Sequence, residues 1–293
     1  MKKQFYIRII KSILVIAFTG FIFTSCEQEG SNIEEESLSQ EIENAYTQTE
    51  IENVSEGVND IIENVYFDID DNEALKDPDT KDTDEQKFLP DCLTITKVIT
   101  DSKKIITLDY GDGCTTRNDN YLSGIIIVEF NFNFDDDKAV IDYTFDNFYF
   151  NYKKVEGQVH KVRTRKNEND NPQAIINSDL KITWEDESFV TIKGERKREW
   201  IEGLGNYFWS DNVFLVTGTW TITKKDGTIR TAMVIEPLRR EMACKFLVSG
   251  IVEIQKNDVA FTLNYGDGKC DDLGIVTIDN KEYEIHLRQR RKN

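Results

Sequence analysis

The sequence predicts an antiparallel all-β body, as a sandwich or a long rolled sheet, preceded by a short helical segment. From residue 92 to the end at residue 293, apolar and polar residues alternate with a period of two, which is typical of strands with one buried face. Short polar turns such as Lys225-Asp226-Gly227 separate these runs. Two pairs of cysteines bracket hairpin patterns, so we also expect two disulfide-stapled hairpins within this body.

The N-terminal residues 1–25 predict a lipoprotein signal peptide. A basic stretch over residues 2–11 precedes an apolar run over residues 13–23, which is too short to span a bilayer. The following Phe23-Thr24-Ser25-Cys26 resembles the lipobox of bacterial lipoproteins. That resemblance implies that Cys26 is lipidated and that a membrane is the partner of its acyl chains. An ordinary signal peptide with an unrelated cysteine is the alternative.

Residues 26–40 are polar and acidic, and predict a disordered tether. They resemble the acidic stretch that follows the lipidated cysteine in surface-exported lipoproteins of the Bacteroidota. The resemblance implies lipid anchoring in the outer membrane with the body at the cell surface. An equal alternative is a solvated spacer that is repelled by the anionic membrane surface.

The net charge of −18 belongs mainly to the region between the signal peptide and the body. Residues 27–91 contain 22 acidic side chains and three lysines, whereas residues 92–293 contain 32 acidic and 29 basic side chains. A nearly neutral body argues against nucleic-acid binding, which needs a concentrated basic surface. Two basic stretches, 153–166 and 193–198, alternate with apolar residues, and we expect them on the solvent faces of strands.

Apolar residues recur at helical spacing over 41–66, which predicts one or two helices with a break near Gly57. We expect this segment to form a stalk or a lid on the body. Residues 67–91 then return to an acidic, turn-rich composition and predict a linker.

One phrase occurs twice, as Thr107-Leu108-Asp109-Tyr110-Gly111-Asp112-Gly113 and Thr262-Leu263-Asn264-Tyr265-Gly266-Asp267-Gly268. Each copy ends beside a cysteine and has a second cysteine upstream. The midpoint of each cysteine pair falls in a polar turn, so a hairpin would place the two cysteines opposite each other. We therefore predict the disulfides Cys92–Cys114 and Cys244–Cys270. Together with the lipobox, Tyr-Gly-Asp-Gly-Cys resembles β-rich outer-membrane lipoproteins of the Bacteroidota, which implies an envelope protein and no particular activity.

The acidic turns offer candidate calcium ligands, namely Asp109, Asp112, Asp267 and Asp271. Calcium prefers carboxylate and carbonyl oxygens, and acidic turns rich in glycine supply both. The alternative is a purely structural turn, which is favoured because neither copy matches an EF-hand and Asn264 replaces Asp109.

Aromatic residues in the unrepeated middle give a second candidate site. Trp200, Tyr207 and Trp209 flank a glycine-rich loop tip, where exposed rings would stack on sugars, whereas packing in the core or against the loop is the alternative. Trp184 and Trp220 lie in alternating strands, and we expect them in the core.

The two histidines are too few for a histidine-based metal site, and no catalytic motif identifies a reaction. The sequence therefore predicts a lipid-anchored envelope protein with a binding or structural role for a glycan or protein partner, or alternatively a glycan-binding or glycan-cleaving surface lipoprotein.

Overall fold

The structure is a computed structural model that describes the backbone of residues 28–74, 89–100, 103–116, 118–132, 138–204, 208–257 and 259–288, with helix side chains from 38 to 66. The signal peptide, the lipidation residue Cys26 and Tyr207 lie outside these residues. The chain divides into two units after residue 40, and the described residues from 41 onwards form one compact unit. Among the described helical residues, none form a stretch apolar enough and long enough to cross a membrane.

The described residues form one α-helix, α1 (Gln28–Ala74), one short 3-10 helix (Trp209–Asp211) and fourteen strands. The strands are β1 (Thr94–Ile99), β2 (Lys103–Asp109), β3 (Cys114–Thr115), β4 (Tyr121–Phe132), β5 (Lys138–Phe150), β6 (Lys153–Thr164), β7 (Gln173–Thr183), β8 (Phe189–Glu202), β9 (Val213–Lys224), β10 (Ile229–Glu241), β11 (Ser249–Lys256), β12 (Val259–Asp267), β13 (Leu273–Ile278) and β14 (Lys281–His286).

All strands belong to one antiparallel sheet in which nearly every strand pairs with its neighbours in the chain. The short β3 pairs only with β4, and β2 pairs directly with β4. The path runs from β1 to β14, and the sheet is not closed. The prediction of an antiparallel all-β body is therefore confirmed, and a single continuous sheet matches its rolled-sheet form rather than the sandwich.

Glycines mark two of the places where the sheet bends. The register of β4 against β5 shifts between Ser123 and Ile125, and that of β11 against β12 shifts between Ser249 and Ile251. Gly124 and Gly250 occupy these bulges with positive φ, and a Cβ on Gly124 would lie 2.0 Å from a backbone oxygen of β5. Since a bulge increases local twist and bends its strand, these positions favour rolling of the sheet.

The two predicted disulfides are confirmed. The Cα atoms of Cys92 and Cys114 are 6.3 Å apart, and those of Cys244 and Cys270 are 5.1 Å apart. The expected reason was incomplete, because the first pair does not face across the ladder. Asp109 pairs with Thr94, so the chain must turn after β2 before Cys114 returns to Cys92.

Helix α1 extends beyond the predicted segment 41–66 at both ends, so residues 28–40 are helical rather than disordered. Glutamate, glutamine and alanine are good helix formers, and the first proline after the start of α1 is Pro78, beyond its end. The expected break at Gly57 is absent. A Cβ at Gly57 would lie 2.4 Å from Cζ of Phe150, so this glycine permits close packing against β5.

The described part of α1 is a core element rather than a stalk or a lid. Its apolar side chains Ile51, Val54, Val58, Ile62 and Val65 are all buried. Its carboxylates Glu52, Glu56 and Glu63 are buried as well, on other faces of the helix. A helix that is buried on several sides must be enclosed by its partner, and the sheet therefore wraps around this segment.

Candidate functional site: a cavity beside the helix

A layer of buried ion pairs joins α1 to the inner face of the sheet. Its cations lie on β6, β8 and β10, and each pairs with a helix carboxylate. The pairs are Lys161 and Arg163 with Glu63, Arg196 with Glu52 (2.9 Å), Arg198 with Glu56 (3.1 Å) and Asp60 (2.5 Å), Arg240 with Asp60 (2.8 Å), and Arg230 with Glu41 (2.9 Å). The expectation that the two basic stretches face solvent is thus wrong for Lys161, Arg163, Arg196 and Arg198, because the helix supplies their counter-charges inside the sheet.

Burial shifts the pKa values of two charged groups in this layer of ion pairs. Desolvation raises the pKa of Glu52 to about 7, although Arg196 acts in the opposite direction. Desolvation also lowers the pKa of Lys161 to about 7, helped by the positive charge of Arg198. Glu52, Glu56, Asp60 and Glu63 lie three or four residues apart, a spacing that indicates one polar stripe along the helix but does not show whether the stripe is buried.

A cavity of about 1450 Å³ opens beside the middle of α1. One wall is formed by helix residues between Glu43 and Gly57. Another is formed by the β5–β6 and β7–β8 turns, including Tyr152 and Trp184. Loops that follow β10 and β12, together with Arg288, complete it. We call this space the end cavity.

Ion pairs between distant loops hold the end cavity together. Asp119, in the β3–β4 loop, accepts from Lys245 (2.7 Å) and Arg288 (3.3 Å). Arg288 also donates to the side chain of Asn151 (3.2 Å). The two ion pairs of Asp119 are exposed and individually weak. Together they connect the loop after the first repeat to the loop that follows β10, and residues that follow each repeat, Asn120 and Asp271, border the same space.

Trp184 was expected in the core but lies half-buried in the cavity wall, whereas Trp220 is a core residue at 1% exposure. The indole N–H of Trp184 donates to a carboxylate oxygen of Glu50, and Lys153 pairs with the other oxygen at 3.1 Å. Tyr152, which is 45% exposed, stacks on Tyr121 with ring centroids 4.7 Å apart. The cavity therefore combines aromatic surface with carboxylates.

Two of the three candidate glycan residues, Trp200 and Trp209, pack against neighbouring side chains. Trp200 is only 5% exposed and packs with Phe214 and Met242, while its N–H donates to the carbonyl of Glu202. Trp209 packs partly buried against the same cluster. Both indoles pack in this cluster, as the alternative of core or loop packing predicts. Tyr207 lies outside the described residues.

The candidate calcium ligands serve turns instead of meeting at an ion. Asp109 accepts from the N–H of Gly111 (2.8 Å), and Asp271 accepts from that of Leu273 (3.1 Å). Asp267 pairs with Lys269 (2.7 Å), and the backbone carbonyl of Asp112 accepts from Tyr121. Over the described residues, the group of ligating side chains close enough to share an ion is Glu241 with Cys244 and Cys270, and both cysteines are in a disulfide.

Comparisons with protein-family models, curated proteins and solved structures found no match to this chain.

Proposed function

We propose that this protein is a lipid-anchored cell-envelope protein whose body binds a ligand in the end cavity. The observation that carries the proposal is the cavity itself, with a volume of about 1450 Å³ and walls from α1, the β5–β6 and β7–β8 turns, and the C-terminal loops. Ligand sites are typically concave, largely preformed and lined by aromatic side chains with a few polar groups. The lipobox ending at Cys26 and the acidic residues behind it support anchoring in the outer membrane, with the body at the cell surface.

Anchoring and binding are tested separately. For anchoring, Cys26→Ser is expected to abolish incorporation of radiolabelled palmitate and to shift the protein out of the membrane fraction. Protease added to intact cells should degrade the wild-type body if it is surface-exposed. Unchanged palmitate labelling of Cys26→Ser would refute the lipid anchor.

For binding, the wild-type protein is screened against glycans and small envelope metabolites by thermal shift. Any ligand of the end cavity should lose about tenfold or more in affinity with Trp184→Ala, because aromatic contacts commonly contribute more than 1 kcal/mol. Trp209→Ala is the matched control, since this indole packs away from the cavity lining. A ligand equally sensitive to both variants, or insensitive to Trp184→Ala, would contradict binding in the cavity.

A glycan-binding or glycan-cleaving function is the second candidate, and Trp184 is the observation that favours it. Its ring lies beside Glu50 in an open cavity, and indole faces stack on sugars while carboxylates accept their hydroxyl groups. Cleavage would need an acid and a second carboxylate beside the bound sugar, and the lining also includes the carboxylates of Glu43 and Glu185. Release of reducing ends from polysaccharides that is lost with Glu50→Gln would establish cleavage, and binding of the polysaccharide without release would establish binding alone.

A further inference from the structure

We propose that the open edge strand β1 pairs with β1 of a second copy of this chain, so that two molecules share one continuous antiparallel sheet. The residues of β1 lie outside the lining of the end cavity, and the pairing is therefore independent of the proposed binding function.

The backbone of β1 has hydrogen-bonding groups directed away from the sheet. Among the strands that the structure describes, β1 pairs only with β2. The N–H of Thr100 donates to the carbonyl of Lys103 (2.9 Å), so every second residue before Thr100 also directs its N–H toward β2. The residues between them direct their N–H groups toward the open edge, and these are Ile95, Lys97 and Ile99. Such a row of backbone groups is a template for another strand.

The side chains of β1 do little to protect this edge. Proteins usually protect an edge strand with charged side chains, proline or bulges. The six residues of β1 include one charge, Lys97, and they pair with β2 in continuous register. Val98 and Ile99, on opposite faces of the strand, are 53% and 64% exposed. Val98 also faces Ile105 of β2, which lies on the same outer face as the exposed Ile127 of β4. An added strand would therefore cover apolar side chains on both faces.

Strand direction favours a twofold pair of β1 strands over a head-to-tail chain of molecules. The path from β1 to β14 contains thirteen strands, each antiparallel to the next, so β1 and β14 run in the same direction. Pairing β14 of one copy with β1 of another, with the same face outward, would thus be parallel. Two β1 strands related by a twofold axis are antiparallel, which is slightly more stable per residue.

Charge disfavours the same kind of pairing at the other edge. The N–H of Leu287 donates to the carbonyl of Asp272, just before β13 (2.7 Å), so the alternation directs the N–H groups of Glu282 and Glu284 toward the open side of β14. Two β14 strands paired about Tyr283 would place Glu282 of one copy opposite Glu284 of the other. Like charges directly opposite each other are destabilising, so β1 is the edge suited to a second copy.

A twofold axis at Thr96 gives the register that fits β1 best. It places Lys97 opposite Ile95 of the second copy, and Val98 opposite Thr94. An axis at Lys97 would pair as many strand residues but would set two ammonium groups opposite each other. An axis at Thr96 also makes the two Thr96 residues a non-hydrogen-bonded pair, with Cα atoms about 4.5 Å apart.

The test measures the protein mass of the full chain in detergent by light scattering over a range of concentrations. We expect twice the mass of one chain. Lys97→Pro should give the mass of one chain, because it removes an N–H at the open edge and leaves the bonds to β2, a position where proline is tolerated. Glu284→Pro is the matched control, since its N–H points to the open side of β14, and it should leave the dimer intact.

Two further variants make the result specific. Val98→Lys guards against misfolding of the proline variant, because this side chain is already exposed, and it should weaken the dimer about tenfold or more. Thr96→Cys should form a disulfide across the axis, seen as a doubled mass on a non-reducing gel.

Three results would overturn the pairing. The first is a wild type that has the mass of one chain at every concentration. The second is a dimer that Glu284→Pro dissociates and that both Lys97→Pro and Val98→Lys leave intact. The third is growth beyond two chains with concentration, which would indicate head-to-tail pairing of β14 with β1. A dimer that Lys97→Pro dissociates but Thr96→Cys does not cross-link would overturn the axis at Thr96.

Discussion

The two repeats share one phrase but differ in what their backbones do. In both copies the first glycine donates its N–H to the side chain two residues before it: Gly111 to Oδ1 of Asp109 at 2.8 Å, and Gly266 to Oδ1 of Asn264 at 2.9 Å. In the first copy the strand then ends, and the N–H of Gly113 bonds back to Tyr110 (3.1 Å) in a turn. In the second copy β12 continues to Asp267, and Gly268 donates to Val248 (2.8 Å) on the neighbouring segment.

The local sequence therefore specifies the hydrogen bond between the glycine N–H and the side chain before it. Whether the strand continues depends on the strand that pairs with it. Asp267 has Ser249 of β11 opposite it. The first copy has no such partner, because β1 starts at Thr94, which already faces Asp109. Since both aspartate and asparagine oxygens accept a backbone N–H, the substitution between the copies preserves the turn and argues against a charge-dependent ion site.

The largest expected effect comes from removing each disulfide in turn. Replacing Cys92 and Cys114 by serine, or Cys244 and Cys270 by serine, should each lower the free energy of unfolding by about 3–4 kcal/mol in the chain-entropy model. The second pair should cost more, because Cys244 is 1% exposed and its hydroxyl replacement would be buried. Urea denaturation without reductant gives both values. A larger loss of unfolding free energy for the Cys92–Cys114 pair would show that the first hairpin depends more on its disulfide than the second does.

Measuring the free energy of unfolding against pH distinguishes the contribution of the helix carboxylate Glu52 from those of aspartates in and beside the repeats. Glu52 has a folded pKa of about 7 against 4.5, so its contribution is fully present below pH 4.5 and is lost as the pH rises through 7. Linkage makes this loss on the order of 3 kcal/mol. Asp119 and Asp267, beside lysines, have lowered pKa values, so their contributions are lost only as the pH falls below the usual range for aspartate.

The control for this titration is Glu52→Gln. Denaturation midpoints of the wild type and the variant are measured from pH 4.5, the pKa of Glu52 in the unfolded chain, to pH 7, its pKa in the folded protein. The wild type should lose stability relative to the variant as the pH rises over this range. Parallel curves would show that the carboxyl of Glu52 titrates alike in the folded and unfolded protein.

Alanine at the last glycine of each repeat compares the two turns directly. A Cβ at Gly113 would lie 2.1 Å from the hydroxyl of Tyr121, whereas at Gly268 nothing lies within 4 Å. Both glycines have positive φ, so Gly268→Ala should cost about 1 kcal/mol from backbone strain alone. Gly113→Ala should cost about 2–3 kcal/mol because it adds the clash. Equal losses in thermal denaturation would mean that Tyr121 moves aside freely.

The smallest effect is expected from exchanging the residues that differ between the repeats. Asp109→Asn and Asn264→Asp keep an acceptor for the glycine N–H, so each should change stability by less than about 0.5 kcal/mol. Asp109→Ala and Asn264→Ala remove the bond and should each cost about 1 kcal/mol. Differential scanning calorimetry resolves the series. A large effect of either exchange would reveal that the charge at this position matters.

The candidate site shows where sequence reasoning stops. Alternation made Trp184 look like a core residue and made Arg196 and Arg198 look solvent-exposed, because a period of two separates the faces of a strand without saying which face is inside. The carboxylates that neutralise Arg196 and Arg198 lie more than 130 residues earlier in the chain. No local pattern links positions so distant, so the buried ionic layer and the cavity could not be foreseen.

The sequence by itself determined the antiparallel body, the hairpin turns, the presence of a helix and both disulfides, since each depends on period, turn residues or spacing within some 30 residues. Only the tertiary structure decided that residues 41–66 of α1 are enclosed by the sheet and that their charges face inward. It also decided that the loops of the two repeats meet around one cavity. Those features arise from the roll of the sheet, which brings together residues that chain spacing keeps apart.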